Sequence, residues 1–463
     1  MTDELAAVAA RVWDLAGGSH DLSARLTVSG PRTFLPSAFD VTGLATASVA
    51  AATLAAAEYQ AARNDSAVPA VRVDSRAACA AFAAEALFTP VGWSLPDAWD
   101  PIAGNYRARD GWIRLHTNYA SHRAAVTRLL KADERDAVRA AVSRWKAADL
   151  EAAVVAAGGC AAAMHDRDGW LASPPGAASA AAPALAVTER PLPTGPAGRA
   201  TSPAGRPYAG VRVLDLTRVI AGPIGTRFLA AYGADVLRLD PPGFAEVPAV
   251  LPETTAGKRT AAVDLTSPAG RAAFERLVAG ADVLVTGLRA DALGRLGYED
   301  AALTALNPAL IITAHNAYGW DGPWRDRRGF DSLVQMSCGI AAAGAVAAGA
   351  GKPVPLPVQA LDHATGYLLA ASVGRALTAR LARGAVSRVR ASLAGTANLL
   401  WSLPRPAGAA DQPPMPRPGD IPLVDAQTAW GPARRVPVPG EISGPAPELR
   451  AEAGPLGRHE PAW

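Results

Sequence analysis

An α/β fold on a doubly wound, mainly parallel sheet is what this sequence of 463 residues predicts, and three observations carry that expectation. From residue 211 to about residue 345, short β-branched runs alternate with helical runs, the pattern of repeated βα units. Half of the residues are apolar, so a sizeable core can be buried. A hairpin signal around Asp110-Gly111 lies outside that alternation and marks a second, smaller α+β domain.

The N-terminal 170 residues read mostly as helix, with the strongest runs at 47–62 and 133–156. Within them, the segment 105–115 alternates polar and apolar residues about Asp110-Gly111, and a hairpin is expected there. Segment 172–207 is rich in Pro, Gly and Ala, which is linker chemistry. Strands are then expected at 211–216, 235–240, 260–265, 282–286 and 309–314. A helix at 224–232 ends at Gly233. Another follows Ser267-Pro268, an N-cap and first-turn proline, and runs to about Ala279. Segment 402–463 holds 14 of the 39 prolines, so it wraps over a surface rather than forming a helix or central strand, with Trp430 and Trp463 as anchors. The expected divisions are 1–100 (helical), 101–171 (small α+β domain), 172–207 (linker), 208–401 (sheet domain) and 402–463 (extension).

Charge and cysteine content narrow the partners. Lys and Arg number 45 against 42 Asp and Glu, a net +3, which points to neither a nucleic acid nor a membrane partner. Cys79, Cys160 and Cys338 are scattered, giving no disulfide framework and no metal site, as expected in a reducing compartment. The acidic N-terminus lacks signal-peptide character, no transmembrane segment is read, and cytoplasmic residence is the expectation. Walker A, HExxH, GxSxG and GxGxxG patterns are absent.

The chemistry-bearing candidate is Asp362, just before an Ala/Leu-rich helical run, where a carboxylate serves as covalent nucleophile, as N-cap of a helix beginning at His363, or both. At an ordinary pKa of ~3.9 it needs no activating base near neutrality. His363 points about 100° away along the helix and reads as a surface or terminus residue. Arg218, Arg238, Lys258, Arg259 and Arg289, with Arg325, Arg327 and Arg328 beyond them, fall at strand ends and in loops. They suit a phosphorylated ligand or are simply solvated. His116, His122 and His315 have no ligand spacing. A weak repeat aligns Thr42-Gly43 and its helix with Thr365-Gly366 and its helix. Asp40 falls one residue out of register with Asp362 and is not expected to form a second centre.

Four blocks resemble, in order and spacing, the class III CoA-transferases, the family of formyl-CoA and carnitine-CoA transferases and 2-methylacyl-CoA racemases. They are Val213-Leu-Asp-Leu-Thr-Arg-Val-Ile-Ala-Gly-Pro223, Tyr232-Gly-Ala-Asp-Val-Leu-Arg-Leu-Asp-Pro-Pro242, Gly257-Lys-Arg-Thr-Ala-Ala-Val-Asp-Leu265, and Gly319-Trp-Asp-Gly-Pro323 followed by Gly329-Phe-Asp331. The resemblance implies a Rossmann-like domain, coenzyme A or acyl-CoA as substrate with no permanently bound cofactor, a carboxylic acid as second substrate, and Asp362 as nucleophile. It further implies Arg218, Arg238, Lys258, Arg259 and Arg289 around coenzyme A, Phe330 and Asp331 on the acyl side, and 339–351 as a lid or wall. Residues 100–115 resemble the opening of the family's small domain, and 1–100 resembles its post-nucleophile region. Family order is therefore inverted, as if two incomplete copies were fused, and a homodimer or an intramolecular pseudo-dimer follows from the family's interlocked dimers. Gly287-Leu288 stands where transferases often carry Asn-Phe. Phe330 replaces the histidine of the racemases, which favours transfer over racemisation. A racemase-like enzyme and a non-catalytic CoA-binding or assembly protein are the alternatives.

Overall fold

The computed structural model describes residues 2–193, 195, 205–406 and 413–463. The first of its parts contains strand β1 (Leu26–Ser29), helix α1 (Val41–Asn64) and strand β2 (Val71–Asp74), with β1 and β2 parallel. Residues 1–100 are thus not purely helical, because a short β-branched pair was hidden among alanine-rich helices. By length and composition α1 could cross a bilayer, but it is buried inside the protein.

The small unit follows. β3 (Gly104–Arg107) and β4 (Trp112–Leu115) form the expected hairpin, with Tyr106 opposite Ile113, and β5 (Ala161–Ala163) adds antiparallel to β4. Helix α2 (Ala120–Leu130) leaves this sheet. Residues 174–191 are not linker. Ser173 accepts the Gly176 N–H and Pro174 opens the helix Pro174–Ala181, the same start signal as Ser267-Pro268. β6 (Leu185–Pro191) is then an edge strand of the main sheet. The remainder of the expected linker lies largely outside the described residues.

The main sheet continues with β7 (Arg212–Leu216), helix α3 (Ala221–Ala231), β8 (Asp235–Asp240), β9 (Arg259–Ala262), β10 (Val283–Thr286) and β11 (Ile311–Asn316). Helices α4 (Asp331–Ser337) and α5 (Ala360–Arg383) precede β12 (Ala385–Ser392). The strand order is β9-β8-β7-β10-β11-β12-β6, parallel except for β6. Chain direction across the sheet reverses between β7 and β10, and the loops leaving their carboxyl ends diverge into a crevice. α3 and α5 cross at glycines: a Cβ on Gly366 would lie 2.4 Å from the Ala221 carbonyl oxygen, and one on Gly225 2.5 Å from that of Gly366. This close crossing fixes the first turn of α5 against the β7–α3 loop.

The weak sequence repeat is a structural one. β1–α1–β2 matches β11–α5–β12, both helices have 24 residues, and they pack along one another. Each second strand also receives an antiparallel partner from the other half of the chain, β6 on β12 and, in the C-terminal extension, β13 (Glu441–Ile442) on β2. That extension wraps as expected, with the Trp463 indole donating to the Leu277 carbonyl at 2.9 Å and Trp430 stacked near Trp93.

Candidate active site

Asp362 stands where two cavities meet. A cleft of ≈ 480 Å³ lies at the carboxyl ends of β7, β10 and β11, the switch point of the sheet, and is lined by Arg218, Arg289, Arg327 and Arg328. A chamber of ≈ 320 Å³ beside it is mostly apolar. Tyr119, Val219, Phe330 and Asp362 line both.

The first turn of α5 presents Asp362 but is not capped by it. The helix begins at Ala360, three residues earlier than expected, and the cap comes from another helix: an Asp331 carboxylate oxygen accepts the N–H groups of Leu361 at 2.8 Å and Asp362 at 3.0 Å. The other Asp331 oxygen accepts from Gln335, whose own carbonyl receives the Leu356 N–H at 2.7 Å. Asp362 therefore keeps its side chain free for the cavities, and Asp331 is a positioning residue as well as part of the chamber wall.

Three carboxylates share this corner, and that sets the electrostatics. Burial, the Asp331 charge and Glu85 together push the Asp362 carboxyl well above its ordinary range. Burial takes Asp331 to about 6, against the opposing hydrogen bonds from Gln335, Asp362 and Leu361. The expectation of an unperturbed Asp362 is thus corrected. His363 is also corrected: it is fully buried, pairs with Glu85 at 3.0 Å and stacks on Phe82. Burial would raise Glu85, but His363 outweighs it and holds that carboxyl below its ordinary range.

The expected cations divide. Arg218 lines the cleft, packed over Phe244 at 3.9 Å and 3.7 Å from Asp240. Arg289 and Arg328 line it with no ion pair among the described residues, and Arg327 lines it while paired with Glu151 of the small unit. Lys258 and Arg238 do not line it. Lys258 Nζ is fully buried, 3.0 Å from Asp215 and 2.9 Å from the Pro223 carbonyl, and Arg238 is fully buried against Asp240 and Glu246. Both are internal counter-ions: Lys258, just before β9, reaches the first turn of α3, and Arg238 on β8 is held by Asp240 and Glu246. Arg259 lies away from the cleft, at Asp235, the Ala462 carbonyl and the Trp463 ring. The segment 339–351 is no lid either: it contains the helix Ile340–Ala347, lines neither cavity, and Gly339 abuts the backbone of Arg167.

Several site residues escaped the sequence. Tyr119 and His122 come from the small unit, and the Tyr119 hydroxyl donates to Glu246 at 2.5 Å. Glu246 also accepts the Val219 N–H at 2.9 Å and pairs with Arg238 at 3.1 Å, tying the small unit to the main sheet. Val219 is held at φ +59°, a strained conformation for a β-branched residue, on the wall shared by the two cavities. Phe330 stacks on His116 of the small unit at 3.7 Å. Burial lowers His122 and His315 to about 4, so the imidazoles on the cleft are neutral near neutrality. The Val219 strain sits inside the block 213–223 but carries no composition signal. The small-unit residues are distant in sequence, and only the fold brings them here.

Comparison with known proteins bears on this site. Residues 208–420 match CoA-transferase family III. The chain is 32% identical over 238 residues to "Probable fatty acyl-CoA transferase Rv3272" of Mycobacterium tuberculosis, covering 47% of this chain and 59% of that one. It is 32% identical over 189 residues to succinate–glutarate CoA-transferase of Agrobacterium fabrum, covering 37% and 47%. It is 30% identical over 196 residues to formyl-CoA:oxalate CoA-transferase of Rhodopseudomonas palustris, covering 40% and 45%. A crystal structure of the M. tuberculosis protein aligns with TM-score 0.38 at 31% identity, over 42% of this chain and 56% of that one. The chain spans about half the length of the curated relatives it matches.

Proposed function

We propose that this chain, whose residues 208–420 belong to CoA-transferase family III, is an acyl-CoA:carboxylate CoA-transferase with Asp362 as its covalent nucleophile. The observation that carries the reading is the position of Asp362, a partly accessible carboxylate at the junction of an arginine-lined cleft and an apolar chamber. Its sheet is Rossmann-like in strand order, and the cleft is at its switch point. Arg218, Arg289 and Arg328 face the space where the phosphates of coenzyme A would lie, and the apolar chamber suits the acyl group.

The reaction runs in two exchanges. The Asp362 carboxylate attacks the donor thioester carbonyl, forming an aspartyl mixed anhydride and releasing CoA thiolate. The thiolate attacks the Asp362 acyl carbon, giving aspartyl-CoA thioester and freeing the donor acid. An acceptor carboxylate then attacks that thioester, regenerating an anhydride and thiolate, and the thiolate takes the acceptor acyl group to restore free Asp362. Burial protects both intermediates from water. The crowding of Asp362 by Asp331 and Glu85 makes its carboxylate a better nucleophile than an unperturbed one, and requires that it first lose its proton.

One chain supplies the whole site, with Tyr119, His122 and Glu85 from the first half and Asp362 from the second. This is an intramolecular pseudo-dimer, and we expect one reactive aspartate per chain. The test is intact mass after incubation with an acyl-CoA, followed by peptide mapping. A CoA or acyl adduct on Asp362, at no more than one per chain, is expected, whereas tight CoA binding with neither adduct nor exchange into carboxylic acids would establish a binding protein instead. The three buried free thiols suit a reducing compartment such as the cytoplasm.

A further inference from the structure

The two cavities that meet at Asp362 differ in charge as sharply as in polarity. All four cleft arginines stand on one side, and among the described residues no lysine or arginine lines the chamber. The chamber wall is built from Phe82, Val219, Val247, Val250, Val358 and, from the C-terminal extension, Met415. The ionisable groups in it are acidic apart from His116, a buried imidazole held well below its ordinary range: Asp331, Asp362 itself, and Glu85. Glu85 Oε2 is 3.0 Å from His363, while its Oε1 is buried with no hydrogen-bond partner. The aromatic faces are already occupied, Phe330 by His116 at 3.7 Å, Trp99 by Arg114 at 4.8 Å and Phe82 by His363 at 5.2 Å, so no open cage awaits a quaternary cation.

We propose that the acyl groups carried on Asp362 are uncharged and apolar, and that Glu85 excludes acids bearing a second carboxylate. The proposal rests on the transferase reading above and deepens it. A monoanionic acid spends its one carboxylate in the bond to Asp362 or to sulfur, and its remaining chain meets an apolar wall. The free carboxylate of a dicarboxylic acyl group would instead enter a chamber where Arg114 lies behind Trp99 and Arg227 acts on Glu85 but neither lines the wall, and where it stands beside a like charge, so that burial and repulsion both oppose it. Glu85 is a specificity residue contributed by the half of the chain that lacks a nucleophile. It touches the acyl space and also acts on Asp362, so its part in specificity is read from the ratio between two thioesters and not from the rate with either one.

The test uses the full chain with hexanoyl-CoA, succinyl-CoA and 4-trimethylammoniobutanoyl-CoA, scored by the rate of adduct formation on Asp362 and by exchange into the matching free acids. Hexanoyl-CoA is expected to react on the order of 100-fold faster than succinyl-CoA, since like-charge juxtaposition is strongly unfavourable, and Glu85→Gln should narrow that ratio by about tenfold. Gln keeps the shape and the hydrogen bond to His363. If Glu85→Gln does not fold, Val358→Lys, which sets a cation in the same wall, is expected to narrow the ratio likewise. Succinyl-CoA reacting as fast as hexanoyl-CoA in the unaltered protein, or the cationic thioester reacting fastest, overturns the proposal while leaving the transferase reading intact. A folded Glu85→Gln protein with an unchanged ratio removes Glu85 from it. No adduct from any of the three overturns both.

Discussion

Replacing Lys258 separates two roles for a cation at a strand end, holding a ligand phosphate or holding the fold. Its ammonium is fully buried, 3.0 Å from Asp215 and 2.9 Å from the Pro223 carbonyl, and Asp215 is equally buried. Burial would raise Asp215, but Lys258, Arg238 and the hydroxyls of Thr217 and Thr226 outweigh it and hold it below its ordinary range. Burial lowers Lys258 to about 8 against the pull of Asp215, so the pair is ionic at neutrality. Lys258→Ala leaves Asp215 charged in the interior, and removing one member of a buried pair costs about 3–5 kcal/mol. The two threonine hydroxyls and Arg238 remain, which places the expectation near ~3 kcal/mol. Removing both charges with Asp215→Asn and Lys258→Met should recover much of that, a coupling of roughly 2 kcal/mol. The pH dependence has a sign of its own. An unfolded Lys stays protonated to about 10.4, so between pH ~8 and that value the unfolded chain binds the extra proton and stability rises with pH through this group. Lys258→Met should lack that rise. Urea unfolding followed by tryptophan fluorescence gives the stabilities, and acyl-CoA titration of the folded protein gives the Michaelis constant. A Lys258→Ala protein as stable as the parent but with a tenfold higher constant for acyl-CoA would falsify the structural role.

Asp362→Asn should form no adduct with any acyl-CoA, and it should be stabilised relative to the parent as pH rises. The raised Asp362 pKa means that the folded state keeps a proton the unfolded chain loses above about pH 4, so the parent alone loses stability toward neutrality. Matched unfolding curves at pH 5 and pH 8 check this, and a stability difference independent of pH would contradict it. Asp331→Ala orphans the Leu361 and Asp362 N–H groups at a cost of ~2–4 kcal/mol, and removes the nearest like charge from Asp362. The pH at which adduct formation sets in should therefore move down, and an unmoved profile in a folded variant would remove Asp331 from that role. Val219→Gly relieves a left-handed valine, so its stability should stay within about 1 kcal/mol of the parent despite the lost side chain, by the same urea measurement.

The sheet was legible because parallel strands buried on both faces leave β-branched runs that helices interrupt on schedule. Asp235–Asp240 and Pro268–Ala279 fall where expected. Helix Pro174–Ala181 and β6 were lost to their composition, although Ser173-Pro174 repeats the start signal that located the helix after Ser267. Asp362 was singled out by the family blocks and by a helix start that the structure places two residues before it. Of the expected cations, Arg218 and Arg289 reach the cleft, whereas Lys258, Arg238 and Arg259 do not, because strand periodicity does not say which loops turn inward. Nothing local marks Glu85, Tyr119 or Glu246 as neighbours of Asp362.

The repeat explains why the chain needs both halves yet offers one nucleophile. At the start of α1, where α5 carries Asp362, Asp40 is the N-cap: it accepts the Gly43 N–H at 2.8 Å and pairs with Arg32 at 2.5 Å, with its side chain almost fully buried. A buried carboxylate committed both to Arg32 and to the helix cap is not free to attack a carbonyl. Among the described residues before α1, only β1 is a strand, so the strands that build the crevice before α5, β7 through β10, have no counterparts there. What the first half retains is the small unit and the acidic edge of the chamber, and it delivers them through β6 and the α1–α5 packing to the partner half. An aspartate committed at α1 therefore leaves in place the walls that the Asp362 centre requires, and those walls are built from residues far from the nucleophile in sequence.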